Sequence, residues 1–135
     1  MKLDFTAKQN SISSIPLWDA ASRTQLEQLG VSLGKPSYIK DLWGVFVESW
    51  KKDESKWMMA IAGEDWAVLR DLAHRLKGSS GSVAAEKLYQ QFTLIQTYID
   101  LLQAQRSRTS LNHQDFFAAC SRIPDLISET AGSLD

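Results

Sequence analysis

The chain has one cysteine, three prolines and seven glycines in 135 residues, and it lacks an excess of either charge. A single thiol, Cys120, excludes an internal disulfide and leaves no basis for a zinc site built on thiolates. A reducing, cytoplasmic setting is the simplest expectation. Few helix breakers mean few interruptions, so long elements are expected. Fifteen Lys plus Arg against sixteen Asp plus Glu give a net charge of -1, too little positive field to hold a polyanion. Nucleic acid is therefore not expected as a partner. No apolar run approaches the roughly 18 residues of a membrane span, and the Met1 to Thr6 segment has no apolar signal core. Neither a membrane anchor nor a leader is predicted, and no stretch shows strand-like alternation.

What is present is helical. Hydrophobic residues make up 44% and charged residues 23%, the composition of a folded globular chain with room for one core. Residues 1–14 are polar and Ser-rich and read as a flexible arm, with the folded domain at 15–135. A short helix is predicted from Asp19, an N-cap, to Gly30, a C-terminal stop. A long one starts at Pro36 and carries Ile39, Trp43, Phe46, Trp50 and Trp57 on one face, ending at Gly63. Asp65 caps a third helix with the stripe Leu69, Leu72, Ala73, Leu76 and Ser80, which fades at Gly81. A fourth carries Leu88, Phe92, Ile95, Ile99 and Leu102 and runs out between Gln103 and Ser110. A fifth carries Phe116, Cys120, Ile123 and Ile127 and is bent at Pro124. The pattern predicts an all-α fold: an antiparallel four-helix bundle with an additional short N-terminal helix across one end. Trp43, Trp50, Trp57 and Trp66 lie on the apolar stripes and are expected in or near the core.

Reactive groups are scarce. A di-metal carboxylate centre needs inward-facing Glu-x-x-His pairs, and neither histidine has one on an apolar stripe. Cys120 falls on a buried stripe, where a small apolar role suits it better than nucleophilic attack. Gly78 and Gly81 lack the preceding strand and spacing of a phosphate loop. His113 has no patterned partner and reads as a solvated surface residue.

His74 differs. At about 100° per residue it lies roughly 140° from the centre of its helix's apolar stripe and faces water. Arg70, Asp71, Lys77, Gly78 and Gly81 fall within roughly 60° of it. Residues 70–77 hold Arg70, Arg75 and Lys77 against Asp71, a local charge of +2. Helical side chains lean toward the N-terminus, so Lys77 leans back over His74, and a side chain at position 78 would cover it. Glycine inside a helix costs about 1 kcal/mol relative to alanine. Gly78 therefore has either an access role or a helix-packing role.

The stretch Ala73-His74-Arg75-Leu76-Lys77-Gly78-Ser79-Ser80 resembles the signature of histidine-containing phosphotransfer (HPt) domains, and the resemblance extends from about Ile15 to Ala131. It implies that His74 accepts a phosphoryl group from the aspartate of a response-regulator receiver domain and passes it to another receiver, within a relay fed by a hybrid sensor histidine kinase. The matching residues are Lys77, near the phosphoryl group, and Gly78, beside the histidine. Arg70 is a weaker candidate for the phosphoryl oxygens, and Asp71, Arg75, Gly78 and Gly81 are candidates for receiver docking. Such a protein is a stoichiometric carrier and not an enzyme. It needs no cofactor of its own, the magnesium coming with the receiver, and it is expected to be monomeric. Met1 and a length near one module favour a free-standing protein. The segment Gly81-Ser82-Val83-Ala84-Ala85 departs from the family's usual Ala-Asn-apolar-Gly-Ala. Two other readings stay open: a helical adaptor that docks receivers or a kinase without being phosphorylated, and an unrelated bundle holding a ligand or metal inside.

Overall fold

The computed structural model describes residues 4–105 and 113–134, and every regular element among them is helical. In chain order these are α1 (Phe5–Ser13), α2 (Ala20–Ser32), α3 (Tyr38–Ala62), α4 (Trp66–Ser82), α5 (Glu86–Gln105), α6 (His113–Ser121) and α7 (Ile123–Gly132). Turns of three residues reverse the chain between α3 and α4 and between α4 and α5, so consecutive helices pack antiparallel. The α6–α7 pair closes the bundle against α3 and α5. Its core holds the predicted stripes: Trp57, Leu69, Leu76, Leu88, Phe92, Ile95, Ile99 and Ile123 are fully enclosed. Trp43 and Trp50 are buried, and Trp66 packs against the core from its edge.

The C-terminal ends of α2, α3 and α4 follow one design. At the end of α2 the Gly34 amide bonds to the Val31 carbonyl and the Lys35 amide to that of Gly30. Glu64 and Asp65 repeat the pair at the end of α3, onto Ile61 and Ala60; Ala84 and Ala85 repeat it after α4, onto Gly81 and Ser80. This is the Schellman closure, which requires a left-handed residue at its centre. Gly34, Glu64 and Ala84 take it, with φ of 70°, 52° and 64°. Ala84 stands where the HPt pattern has glycine, so the departing sequence still makes the turn. It does so at the steric cost of an alanine Cβ in the left-handed region.

Several boundaries differ from expectation. α2 continues two residues past Gly30, because Gly30 is a packing residue: an added Cβ would stand 2.5 Å from Tyr38 Cβ. α3 begins at Tyr38, since Pro36 and Ser37 form the turn before it. The single bent fifth helix is two helices broken at Arg122, with Pro124 in the first turn of α7; the stripe from Phe116 to Ile127 stays buried across the break. The run-out of the fourth helix at residues 106–110 lies outside the described residues.

The largest difference is at the N-terminus. The expected arm of residues 1–14 contains α1, capped by Asp4, whose carboxylate accepts from the Ala7 amide at 3.0 Å. Its apolar face is only Phe5 and Ile12, two turns apart, too sparse to show as a period. Phe5 nevertheless is buried, edge-on to Tyr98 and Phe116 at 5.2 and 5.9 Å. The Gln9 and Gln91 amides exchange two hydrogen bonds of 2.8 Å, and Lys87 Nζ donates to the Ser13 carbonyl at 3.1 Å. Two short helices therefore precede the bundle, not one.

Candidate functional site

Leu69, Leu72, Ala73, Leu76 and Ser80 turn one face of α4 into the core, and Asp65 starts the helix by accepting from the Val68 amide. That burial fixes the opposite face: Asp71, His74, Arg75, Gly78 and Gly81 are exposed, with Arg70 and Lys77 at its margin. His74 Nδ1 lies 3.2 Å from Oε1 of Gln96 on α5. An amide oxygen only accepts, so this contact suits the tautomer that carries its proton on Nδ1. Nε2 has no hydrogen-bond partner among the described residues, and the side chain is exposed.

The predicted cations separate. Arg70 Nε is 2.7 Å from Asp100 Oδ1 on α5, and its guanidinium pKa is raised by that hydrogen bond first, then by the Asp100 charge, with Asp71 adding to it. Arg75 turns the other way, toward α3, with its guanidinium 3.1 Å from the buried Asp53 carboxylate. The +2 expected along residues 70–77 is thus largely offset by two carboxylates far away in sequence. Each arginine thus has a carboxylate partner on a neighbouring helix. Lys77 pairs with no carboxylate among the described residues, and its Nζ sits over the ring of Tyr89, 6.0 Å from the centroid.

The two glycines also separate. A Cβ built on Gly78 meets nothing within 4 Å, so the helix-packing explanation fails there and open ground lies beside His74. A Cβ on Gly81 would come within 3.0 Å of Tyr89 Cδ1. Gly81, expected in the docking strip, is a packing contact for that ring.

Sequence reasoning missed the α5 half of the site. Tyr89, Gln96 and Asp100, each a partner of an α4 residue, fall at spacings of seven and four along α5. That spacing puts them on one helical side, but nothing in a polar helix edge says what stands opposite. The remaining reactive candidates withdraw. His113 is half-buried, not solvated, with its ring edge-on to Tyr98 at 6.0 Å. Burial pushes the Cys120 thiol far above its ordinary range and raises the neighbouring Tyr98 hydroxyl to about 12. Among the described residues no three His, Cys, Asp or Glu side chains are grouped to hold a metal. No described helix is long and apolar enough to cross a membrane.

The family model for the Hpt domain matches residues 41–132, more than half of the chain, from the first turn of α3 to the end of α7. The match spans the helix bearing His74 and the helix bearing Gln96. No curated protein and no solved structure matches the chain.

Proposed function

The chain belongs to the Hpt domain family, whose members carry phosphoryl groups on histidine in phosphorelays, and from this premise we propose that His74 is the phosphoacceptor. The observation that carries the reading is the state of that one side chain: exposed, held at Nδ1 by Gln96, and open at Nε2 beside the unobstructed Gly78. In the proposed step Nε2 attacks the phosphorus of a receiver's aspartyl phosphate. The N–P bond forms as the P–O bond to the carboxylate breaks, and the carboxylate leaves with the bonding pair. The ring takes up positive charge during attack, with Gln96 Oε1 accepting from Nδ1–H throughout. Transfer to the next receiver is the same step reversed.

Such a transfer needs in-line placement and charge stabilisation more than acid–base machinery. Lys77 is the group assigned to the phosphoryl oxygens. Arg70, tied to Asp100, is assigned to holding α4 and α5 in register. Asp71, Arg75 and the open ground at Gly78 form the surface a receiver would cover. The magnesium of the transfer would come with the receiver, and the chain would act as a stoichiometric carrier between a hybrid kinase and response regulators.

Incubation with a phosphorylated receiver should place an acid-labile, base-stable phosphoryl group on the protein. His74→Gln should abolish it with the fold intact, and His113→Gln should leave it unchanged. Receiver binding without label on the unmodified protein would favour the adaptor reading. Label retained after His74→Gln would refute the assignment.

A further inference from the structure

We propose that Tyr89 is a positioning residue for phosphotransfer: its ring gives the Lys77 ammonium a fixed seat at the margin of the α4 face that bears His74, and Gly81 is glycine so that the ring can lie there. The proposal rests on the reading that Lys77 meets the transferring phosphoryl group.

A lysine ammonium on four methylenes has many rotamers, so without a partner it spends little time in any one place. The other two cations of this face have fixed partners, Arg70 in Asp100 and Arg75 in Asp53. A carboxylate would hold Lys77 too, but it would also neutralise the charge that has to meet phosphate. The face of an aromatic ring attracts an ammonium within about 6 Å and leaves its donors and its net charge available. Lys77 Nζ stands at 6.0 Å from the Tyr89 ring, with no competing carboxylate among the described residues.

The ring itself is closely placed. Tyr89 sits in the first turn of α5, its amide bonded to the Ala85 carbonyl at 2.9 Å and its own carbonyl accepting from Thr93 Oγ1 at 2.7 Å. Its Cδ1 and Cε1 atoms stand 3.0 and 3.3 Å from where a Cβ on residue 81 would be. A Cβ at 81 requires the ring to give by a few tenths of an ångström, and a longer side chain requires more. Gly81, Tyr89 and Lys77 thus form a short chain of contacts that ends at the phosphoryl group, with only Lys77 touching it.

Two measurements test this on the full chain. The first is the proton chemical shifts of the Lys77 side-chain methylenes, which a ring face moves upfield; the shift should persist in Tyr89→Phe, vanish in Tyr89→Leu and weaken in Gly81→Ala. The second is the rate of transfer from a phosphorylated receiver. Tyr89→Phe should be unchanged, and Tyr89→Leu slowed roughly two- to fivefold, the weight of one exposed cation–π contact. In a Lys77→Ala background, Tyr89→Leu should cause no further loss. An equal loss in that background, or Lys77 protons without a ring shift in the unmodified protein, overturns the role of Tyr89 while leaving phosphotransfer standing. Failure of the unmodified protein to take label at all overturns the parent reading, and this one with it.

Discussion

The Trp57 indole N–H donates to the Cys120 carbonyl at 3.0 Å, across the core from α3 to α6. In an uninterrupted helix that carbonyl would accept from the amide four residues on. That residue is Pro124, which has no N–H. A buried carbonyl left alone costs about 1–3 kcal/mol, so the tryptophan removes a penalty that the proline creates. Trp57→Phe should therefore destabilise by about 2 kcal/mol or more, read as a lower denaturation midpoint at unchanged slope. In a Pro124→Ala background, where an amide can serve the same carbonyl, the loss should be smaller. Equal losses in both backgrounds would show that only ring volume counts.

Gly78 sets stability against transfer. With open space around it, Gly78→Ala should stabilise α4 by up to about 1 kcal/mol and Gly78→Leu should fold normally. Both side chains lean back toward His74, so transfer from a receiver should fall in order of size. Thermal melts and transfer rates on the same samples check it; full transfer by the leucine variant would place the docking face elsewhere.

Gln96 gives a third test. Replacing it by leucine removes the acceptor that fixes the proton on Nδ1, so nitrogen-detected spectra should show His74 passing from one neutral tautomer to a mixture. Loss of one neutral hydrogen bond of about 1 kcal/mol corresponds to transfer slowed roughly fivefold, with the fold unchanged. A single Nδ1–H tautomer retained in the variant would remove Gln96 from the site.

Glu64 tests the backbone alone. It is exposed, at φ 52°, in the left-handed seat of the closure after α3, and it is remote in sequence from His74. Glu64→Gly should stabilise by about 1 kcal/mol, visible as a melting temperature raised by roughly 3–5 °C, with transfer unchanged. A lowered melting temperature would mean that the glutamate side chain contributes more than its strain.

The bundle and His74 were legible because both rest on local periodicity: burial of Leu69, Leu72, Ala73 and Leu76 alone decides that position 74 faces out. What stands opposite Gly81, Arg70 and Arg75 was not legible, because a helical wheel treats the outer face as bare, whereas Tyr89, Asp100 and Asp53 arrive there from other helices. Gln96 had no signal of its own, since a glutamine on a polar edge reads as solvent-facing. Gly30 and Gly34 show the same limit on a smaller scale. Either could end α2, and only the approach of Tyr38 decides which glycine packs and which one turns.

The family model matches from residue 41, yet Phe5 lies in the same aromatic cluster as Tyr98 and Phe116, inside the matched region. Trimming the chain to its recognisable part would therefore not yield a smaller carrier with the same properties. It would uncover two rings that the first helix shields, remove the glutamine that completes the Gln91 amide pair, and leave an apolar flank open to water. The matched region and the helix outside it thus share one core.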